Sequence, residues 1–392
     1  MRVVTFNLGA AALVGIAFGG PGPAFGDPTL PAPETASKAP RLDDTGLTTC
    51  LDTSTWLQTA CAGTGQDGEF GRDVKHPDNA NGPAGYSFVK VCNNGQQAGQ
   101  RGCLKSAVQG SGPHDWGCTK DLVTGLTWEL RTQDGSIRDA RRSFSNFGID
   151  DPADVGGLVA AMNAQALCGA ADWRLPSVTE LFSLANLNQF ADLSKWIPDQ
   201  AFGFNLLWTY EIADEGFAWY VDTSHSSYGP ETGLDQQNNL VEATAARVVR
   251  GQVTLIHLVP RDDEVADTVN HLSWRRCAEG MTWQKPNCVG TSTLMYWSDA
   301  LAYANAVAAA TGVGWRLPNV KELQSLQVLS NLRGTKIDHD LFPQTTGQPF
   351  WSSSAWSGFE GIWNVSFGDG FATRESGVDS TDFAIRLVRD TD

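Results

Sequence analysis

The sequence predicts an α+β protein of two tandem modules, each with two helices followed by short antiparallel strands, behind a disulfide-stapled N-terminal segment. Three observations predict it. A twelve-residue signature occurs twice, WRLPSVTELFSL at 173–184 and WRLPNVKELQSL at 315–326, with nine positions identical. Such self-similarity sets the number of folding units before any local reading. Around each copy the apolar period is helical before the signature and strand-like after it. Finally, four of the eight cysteines fall in residues 42–117, which are rich in Gly, Asn, Asp and Gln and poor in periodic apolar residues. Crosslinks rather than a core hold such a stretch.

Other landmarks keep their order in both copies. Leu126-Thr127-Trp128 aligns with Met281-Thr282-Trp283, Leu207-Trp208-Thr209 with Phe350-Trp351-Ser352, and Phe217–Val221 with Gly361–Val365. Each copy closes on a paired arginine, Arg247 with Arg250 and Arg386 with Arg389. The expected organisation is a signal peptide over 1–26, a flexible leader over 27–41, the Cys-rich segment 42–117, module 1 over 118–251, a linker strand over 252–276 and module 2 over 277–392. The signal reading rests on Arg2, the apolar run Leu8–Gly20, and the small residues Ala24 and Gly26 at a cleavage site. That run is too short to span a bilayer, and no later segment approaches ~20 unbroken apolar residues. An exported protein is expected, extracellular, on the cell surface or periplasmic.

Taken in chain order, residues 153–167 and 297–310 space Leu158, Met162, Leu301 and Val307 as the inward face of a first helix. Pro176 and Pro318 suit the first turn of a second helix, where a missing N–H costs nothing. Glu180 and Glu322 then sit near its positive end. Leu181, Leu184 and Leu187, like Leu323, Leu326 and Leu329, continue the apolar face. Phe350–Ser353, Ile362–Phe367 and Ala384–Val388 read as strands, with a hairpin turn at Gly368-Asp369-Gly370. Val253–Val259 reads as an added strand joining the modules.

Cys50/Cys61, Cys92/Cys103 and Cys277/Cys288 are each eleven residues apart. Local closure pairs them and leaves Cys118 with Cys168, one connectivity among 105. The net charge of −16 argues against nucleic acid, anionic membranes and polyanions as partners. No D-x-D-x-D-G loop and no CxxC set is present, so no metal site is assigned. The six histidines do not recur between repeats and form no visible nucleophile–base constellation, so no catalytic residue is assigned.

Thr124-Gly125-Leu126-Thr127-Trp128-Glu129, both WRLP…EL signatures, Phe350-Trp351-Ser352-Ser353-Ser354 and the closing Arg-x-x-Arg resemble the Lcl C-terminal domain family, named for the Legionella collagen-like adhesin. Cys277-Ala278-Glu279-Gly280-Met281-Thr282-Trp283, ending in Cys288-Val289-Gly290, resembles a further segment of that family. The resemblance covers roughly residues 118–250 and 277–390. It implies an exported, adhesin-like domain; the founding adhesin binds sulfated glycans. Arg174–Glu180 and Arg316–Glu322 are also similar to a segment of formylglycine-generating enzymes, which implies a C-type-lectin-like fold for each module. Those enzymes hold copper with late cysteines, and here no cysteine follows Cys288. Gln348-Pro349-Phe350 and Trp363-Asn364-Val365 each fall one residue short of the lectin calcium tripeptides. No cofactor is therefore expected, and calcium is disfavoured.

Among the fourteen tryptophans, the repeated set reads as core. Trp356, Trp297 and Tyr228 are not repeated and are taken as loop aromatics for ligand binding. Trp173, Arg174, Pro176 and Glu180, with Trp315, Arg316, Pro318 and Glu322, read as a structural signature whose charges form a polar network. The expected function is a non-catalytic, adhesin-like binding protein for a glycan or a surface protein. A structural subunit of a surface complex is the alternative, and an enzyme of the formylglycine-generating type comes third.

Overall fold

The computed structural model describes residues 41–391, apart from 77, 80, 189–192, 194, 199–205, 215–216, 223–229, 233–243, 252–254, 332–333, 356–360 and 377–379. The signal peptide, nearly all of the leader, Tyr228 and Trp356 lie outside the described residues.

The N-terminal segment makes two short ladders, β1 (Cys50–Leu51) with β2 (Gln58–Thr59) and β3 (Asp78–Asn79) with β4 (Gly82–Pro83), around a single helical turn, α1 (Gly71–Lys75). It does not stand apart from module 1. Its last strand, β5 (Phe88–Cys92), pairs antiparallel with β6 (Trp116–Asp121), which pairs with β7 (Thr127–Glu129). Then come helices α2 (Val155–Ala164) and α3 (Val178–Ser183) and a second sheet of β8 (Leu206–Asp214), β9 (Phe217–Asp222) and β10 (Pro230–Thr232). Finally β11 (Val249–Arg250) returns to pair with β7, giving a first sheet in the order β11-β7-β6-β5.

Module 2 repeats this plan and starts earlier than its sequence suggests. The expected linker strand is a three-strand meander, β12 (Leu258–Arg261), β13 (Glu264–Asp267) and β14 (Leu272–Arg275). After it come an extra hairpin, β15 (Met281–Gln284) with β16 (Asn287–Gly290), helices α4 (Trp297–Thr311) and α5 (Val320–Ser325), and the sheet β17 (Pro349–Ala355), β18 (Ile362–Ser366), β19 (Ala372–Glu375). The last strand, β20 (Val388–Asp390), closes onto β14, so the order β12-β13-β14-β20 mirrors the first module. Residues 258–275 are therefore part of module 2, not a linker.

This register also corrects the alignment of the repeats. Val249 lies opposite Trp128 and Val388 opposite Trp274, so the partner of Leu126-Thr127-Trp128 is Leu272-Ser273-Trp274. Trp274 is fully buried like Trp128. Trp283 instead sits half-buried on the extra hairpin, with the Arg276 guanidinium 4.1 Å from its ring centroid. Thr282-Trp283 matches Thr127-Trp128 in sequence but lies one hairpin later in the fold.

The disulfides are Cys50–Cys61, Cys92–Cys103, Cys118–Cys168 and Cys277–Cys288, the pairs that local closure suggests. The signature helices owe their start to Ser177 and Asn319. Each side chain accepts the N–H of Glu180 or Glu322, whose carboxylate accepts the cap N–H in return, a reciprocal capping box. Pro176 and Pro318 therefore stand one residue before the cap, not in the first turn. Their carbonyls accept the N–H of Tyr210 and Ser353, which keeps both prolines extended alongside β8 and β17. Arg174 and Arg316 fold back onto Glu180 and Glu322 through paired bonds of 2.6–2.8 Å.

Each module keeps an outer core, Leu158, Met162, Trp173 and Trp208 in the first and Leu301, Trp315, Trp351 and Leu387 in the second. Between them runs one shared core that takes Trp128, Leu181 and Trp219 from module 1 and Trp274, Leu323 and Trp363 from module 2. Trp297 is not a loop aromatic. It opens α4 fully buried, stacks 6.2 Å from Trp56 and donates its indole N–H to the Ser352 carbonyl. In module 1 the Asn146 amide makes the corresponding bond to the Thr209 carbonyl.

Candidate functional site: a groove beside the first signature helix

The signature helices α3 and α5 lie in contact, and each borders a recess whose far wall is the chain leaving the other helix. Counting from the signatures, Ser177, Thr179 and Glu180 correspond to Asn319, Lys321 and Glu322; counting from Trp208 and Trp351, Tyr210 and Glu211 correspond to Ser353 and Ser354. Hydrogen bonding bears out the second match. The Val178 N–H is accepted by Glu211 at 3.1 Å, and the Val320 N–H by Ser354 Oγ at 3.0 Å.

The recess of module 2 is filled by the chain's own N-terminal segment. Asn319 Nδ2 donates to Asp44 Oδ1 at 3.0 Å, and Ser354 Oγ to Asp67 Oδ2 at 2.6 Å. Lys321 Nζ, fully buried, donates to the Asp44 and Ser183 carbonyls and to the Tyr86 hydroxyl at 2.7–2.8 Å. On the far wall the Leu187 N–H is accepted by the Thr45 carbonyl at 2.8 Å. Gly46 passes so close that a Cβ would collide with the Asn186 amide, and its φ of +80° suits glycine. The Phe70 ring covers Arg316 at 5.5 Å.

Three carboxylates in this filled recess, Asp44, Asp67 and Asp73, bring ligand atoms within 4.8 Å of one another, the spacing a cation needs. Burial first, then the Asp44 charge, pushes the Asp67 and Asp73 carboxyls well above the usual carboxylate range, which favours their protonated forms. Asp44 accepts the N–H groups of Thr45, Arg72 and Asp73. The position of the cluster makes it the seam between the N-terminal segment and module 2.

The recess of module 1 is a groove of about 800 Å³. Ser177, Thr179, Tyr210 and Glu211 line one wall, and Ser325 and Gln327–Ser330 the other, with Leu255 and Ile256 alongside. Tyr210 is 58 % exposed, so its ring is presented to solvent at the rim. Arg174 is spent on Glu180 and on the Leu175 and Gly251 carbonyls. Among the described residues Glu211 has no cationic partner, and burial pushes its carboxyl up to about 7 against the lowering effect of the Val178 N–H and Thr209. The Ser177 hydroxyl is held as a helix cap, and among the described residues no His or Cys lines the groove.

The aromatics singled out from sequence do not meet here. Trp297 is core, and Trp356 and Tyr228 fall outside the described residues. Signature residues Arg174 and Glu180 do form the groove wall. Tyr210 and Glu211 were missed. Their signal was available as a difference between repeats, a Tyr-Glu where module 2 has Ser-Ser after the shared Trp.

A model of the Lcl C-terminal domain matches residues 117–250 and 263–389. The second match begins inside the β12–β14 meander, in accord with the sheet order. No curated protein and no solved structure matches the chain. With both modules matched and the signatures placed in equivalent folds, the chain belongs to the Lcl C-terminal domain family and carries that domain twice.

Proposed function

We propose that this chain is an exported, non-catalytic, adhesin-like binding protein built on two C-type-lectin-like modules, and that its ligand, a glycan or a protein, seats in the groove of module 1. The observation that carries this reading is the groove itself, an open recess with an exposed aromatic ring and a buried carboxylate that has no cation beside it among the described residues. Membership of the family is consistent with an adhesin-like surface protein. Four closed disulfides fit an oxidising compartment. Among the described residues no helix is long and apolar enough to cross a membrane.

The test is to screen the protein on a glycan array and a peptide array in parallel with Tyr210→Ala. A specific hit weakened at least ten-fold by the substitution supports the groove as the site. Hits indifferent to Tyr210→Ala relocate it, and silence on both arrays sinks the binding reading in favour of an assembly role.

A further inference from the structure

We propose that the groove of module 1 is a docking site for an extended polypeptide segment bearing a basic side chain, seated as residues 44–47 of this chain are seated on module 2. This inference rests on the groove being the binding site. It commits that site to one class of ligand.

The two recesses are equivalent. Each is walled by a signature helix, by the residue three after the shared Trp, and by the chain leaving the opposite helix. On module 2 the occupant is polypeptide, held by side chains on one wall and by a main-chain bond from Leu187 on the other. Leu329 is the counterpart of Leu187 and lines the groove. Among the described residues no backbone carbonyl takes its N–H. Gln327, on the same wall, has an amide nitrogen buried without a partner among the described residues. Main-chain and amide donors in a row are what an extended segment uses.

The two recesses differ in charge. On module 2, Asn319 meets the Asp44 carboxylate, Lys321 the Asp44 carbonyl and Ser354 the Asp67 carboxyl. The two carboxyls lie within 4.8 Å of each other, so a Lys or Arg at the place of Asp44 spans to the place of Asp67. At the same places module 1 offers Ser177, Thr179 and Glu211. Lysine has become threonine and serine has become glutamate, so the polarity is reversed. Arg174 does not restore it, because its guanidinium is spent on Glu180 and two carbonyls. A carboxylate buried without a cation is costly, and a Lys or Arg from a partner relieves that cost. The raised Glu211 carboxyl is in keeping with a counter-ion yet to arrive. Among the described residues no segment of this chain lies across the groove as residues 44–47 lie across the other recess.

The probe is a synthetic array of seven-residue peptides with the sequence of residues 42–48, carrying Asp, Asn, Lys or Arg at the position of Asp44. Full-length protein is the analyte. The Lys and Arg members are expected to bind at least ten-fold more tightly than the Asp member. Glu211→Gln should remove that preference, and Thr179→Lys with Glu211→Ser should reverse it. Both variants are checked for unchanged thermal unfolding, and Thr179→Lys alone, a half-buried position on the groove wall, serves if Glu211 proves needed for folding. Preference for the Asp member, or a Lys preference indifferent to Glu211→Gln, overturns the proposal. Binding of a glycan that Tyr210→Ala abolishes, with no peptide bound, also overturns it while leaving the groove as the site. Silence from peptides and glycans alike removes both readings.

Discussion

Arg316 and Arg174 make the same two-pronged bond to a capping glutamate in different surroundings. The Arg316 side chain is 8 % exposed and also bonds Asp390, whereas that of Arg174 is 34 % exposed. Removing one partner of a buried pair strands the other charge, at about 3–5 kcal/mol, and solvent discounts the loss where it reaches the pair. Arg316→Ala is therefore expected to lower stability by about 3–5 kcal/mol and Arg174→Ala by about half of that or less. Equal shifts in the denaturant midpoint would contradict this. A second residue-scale effect concerns pH. Asp67 and Asp73 face Asp44, Glu322 and Lys321 and keep protons that the unfolded chain releases near pH 4. A carboxyl raised on folding stabilises below its unfolded pKa and loses that contribution as pH climbs, at about 1.4 kcal/mol per unit for each retained proton. Carboxyls lowered by hydrogen bonds, such as Asp52 and Asp154, act only on the acid side of this window. Lys321, pulled down to about 8 by burial, acts above it. The melting temperature should therefore fall between pH 5 and pH 7.5, and Asp73→Asn should flatten the slope. A melting temperature that rises across that range would refute the assignment of protons to the seam.

At the scale of elements, disulfides and caps do for these short pieces what length does for longer ones. Each signature helix has six residues, too few to be stable alone, and depends on its capping box and its apolar face. Cys118–Cys168 ties β6 to the turn after α2 across 50 residues, while Cys277–Cys288 closes a hairpin of 11. On chain entropy alone the longer closure contributes about 4 kcal/mol and the shorter about 3. Replacing the first pair with serines should thus lower the unfolding midpoint more than replacing the second. The reverse order would show that the β15–β16 hairpin carries tertiary contacts beyond its own closure.

Across the whole molecule, the modules are two in sequence and one in packing. Trp219 meets Phe371 of the opposite module edge to face, and Lys321 reaches the Ser183 carbonyl across the α3–α5 contact. The N-terminal segment locks the pair through Asp44, Asp67 and Tyr86. Calorimetry should therefore show one cooperative transition, and residues 258–391 expressed alone should lack it. An isolated fragment that unfolds cooperatively at the parent temperature would show that the shared core contributes little.

The residues themselves determined that there are two modules, because a nine-in-twelve match survives any local ambiguity. They also determined that two helices precede the second sheet of each module, and the local disulfides, since apolar period and loop closure are short-range properties, but not the strands β5–β7 and β12–β14 that come before the helices. Module boundaries were harder. Residues 258–275 read as a linker because their partner strand, β20, lies more than a hundred residues away. Burial of Trp297 was not legible, because an unrepeated aromatic and an exposed one look alike until the Ser352 carbonyl is placed above it. The groove is the clearest case. Its two walls come from opposite modules, and only pairing α3 with α5 brings Glu211 to face residues 325–330 and reveals that the matching place on module 2 is already filled.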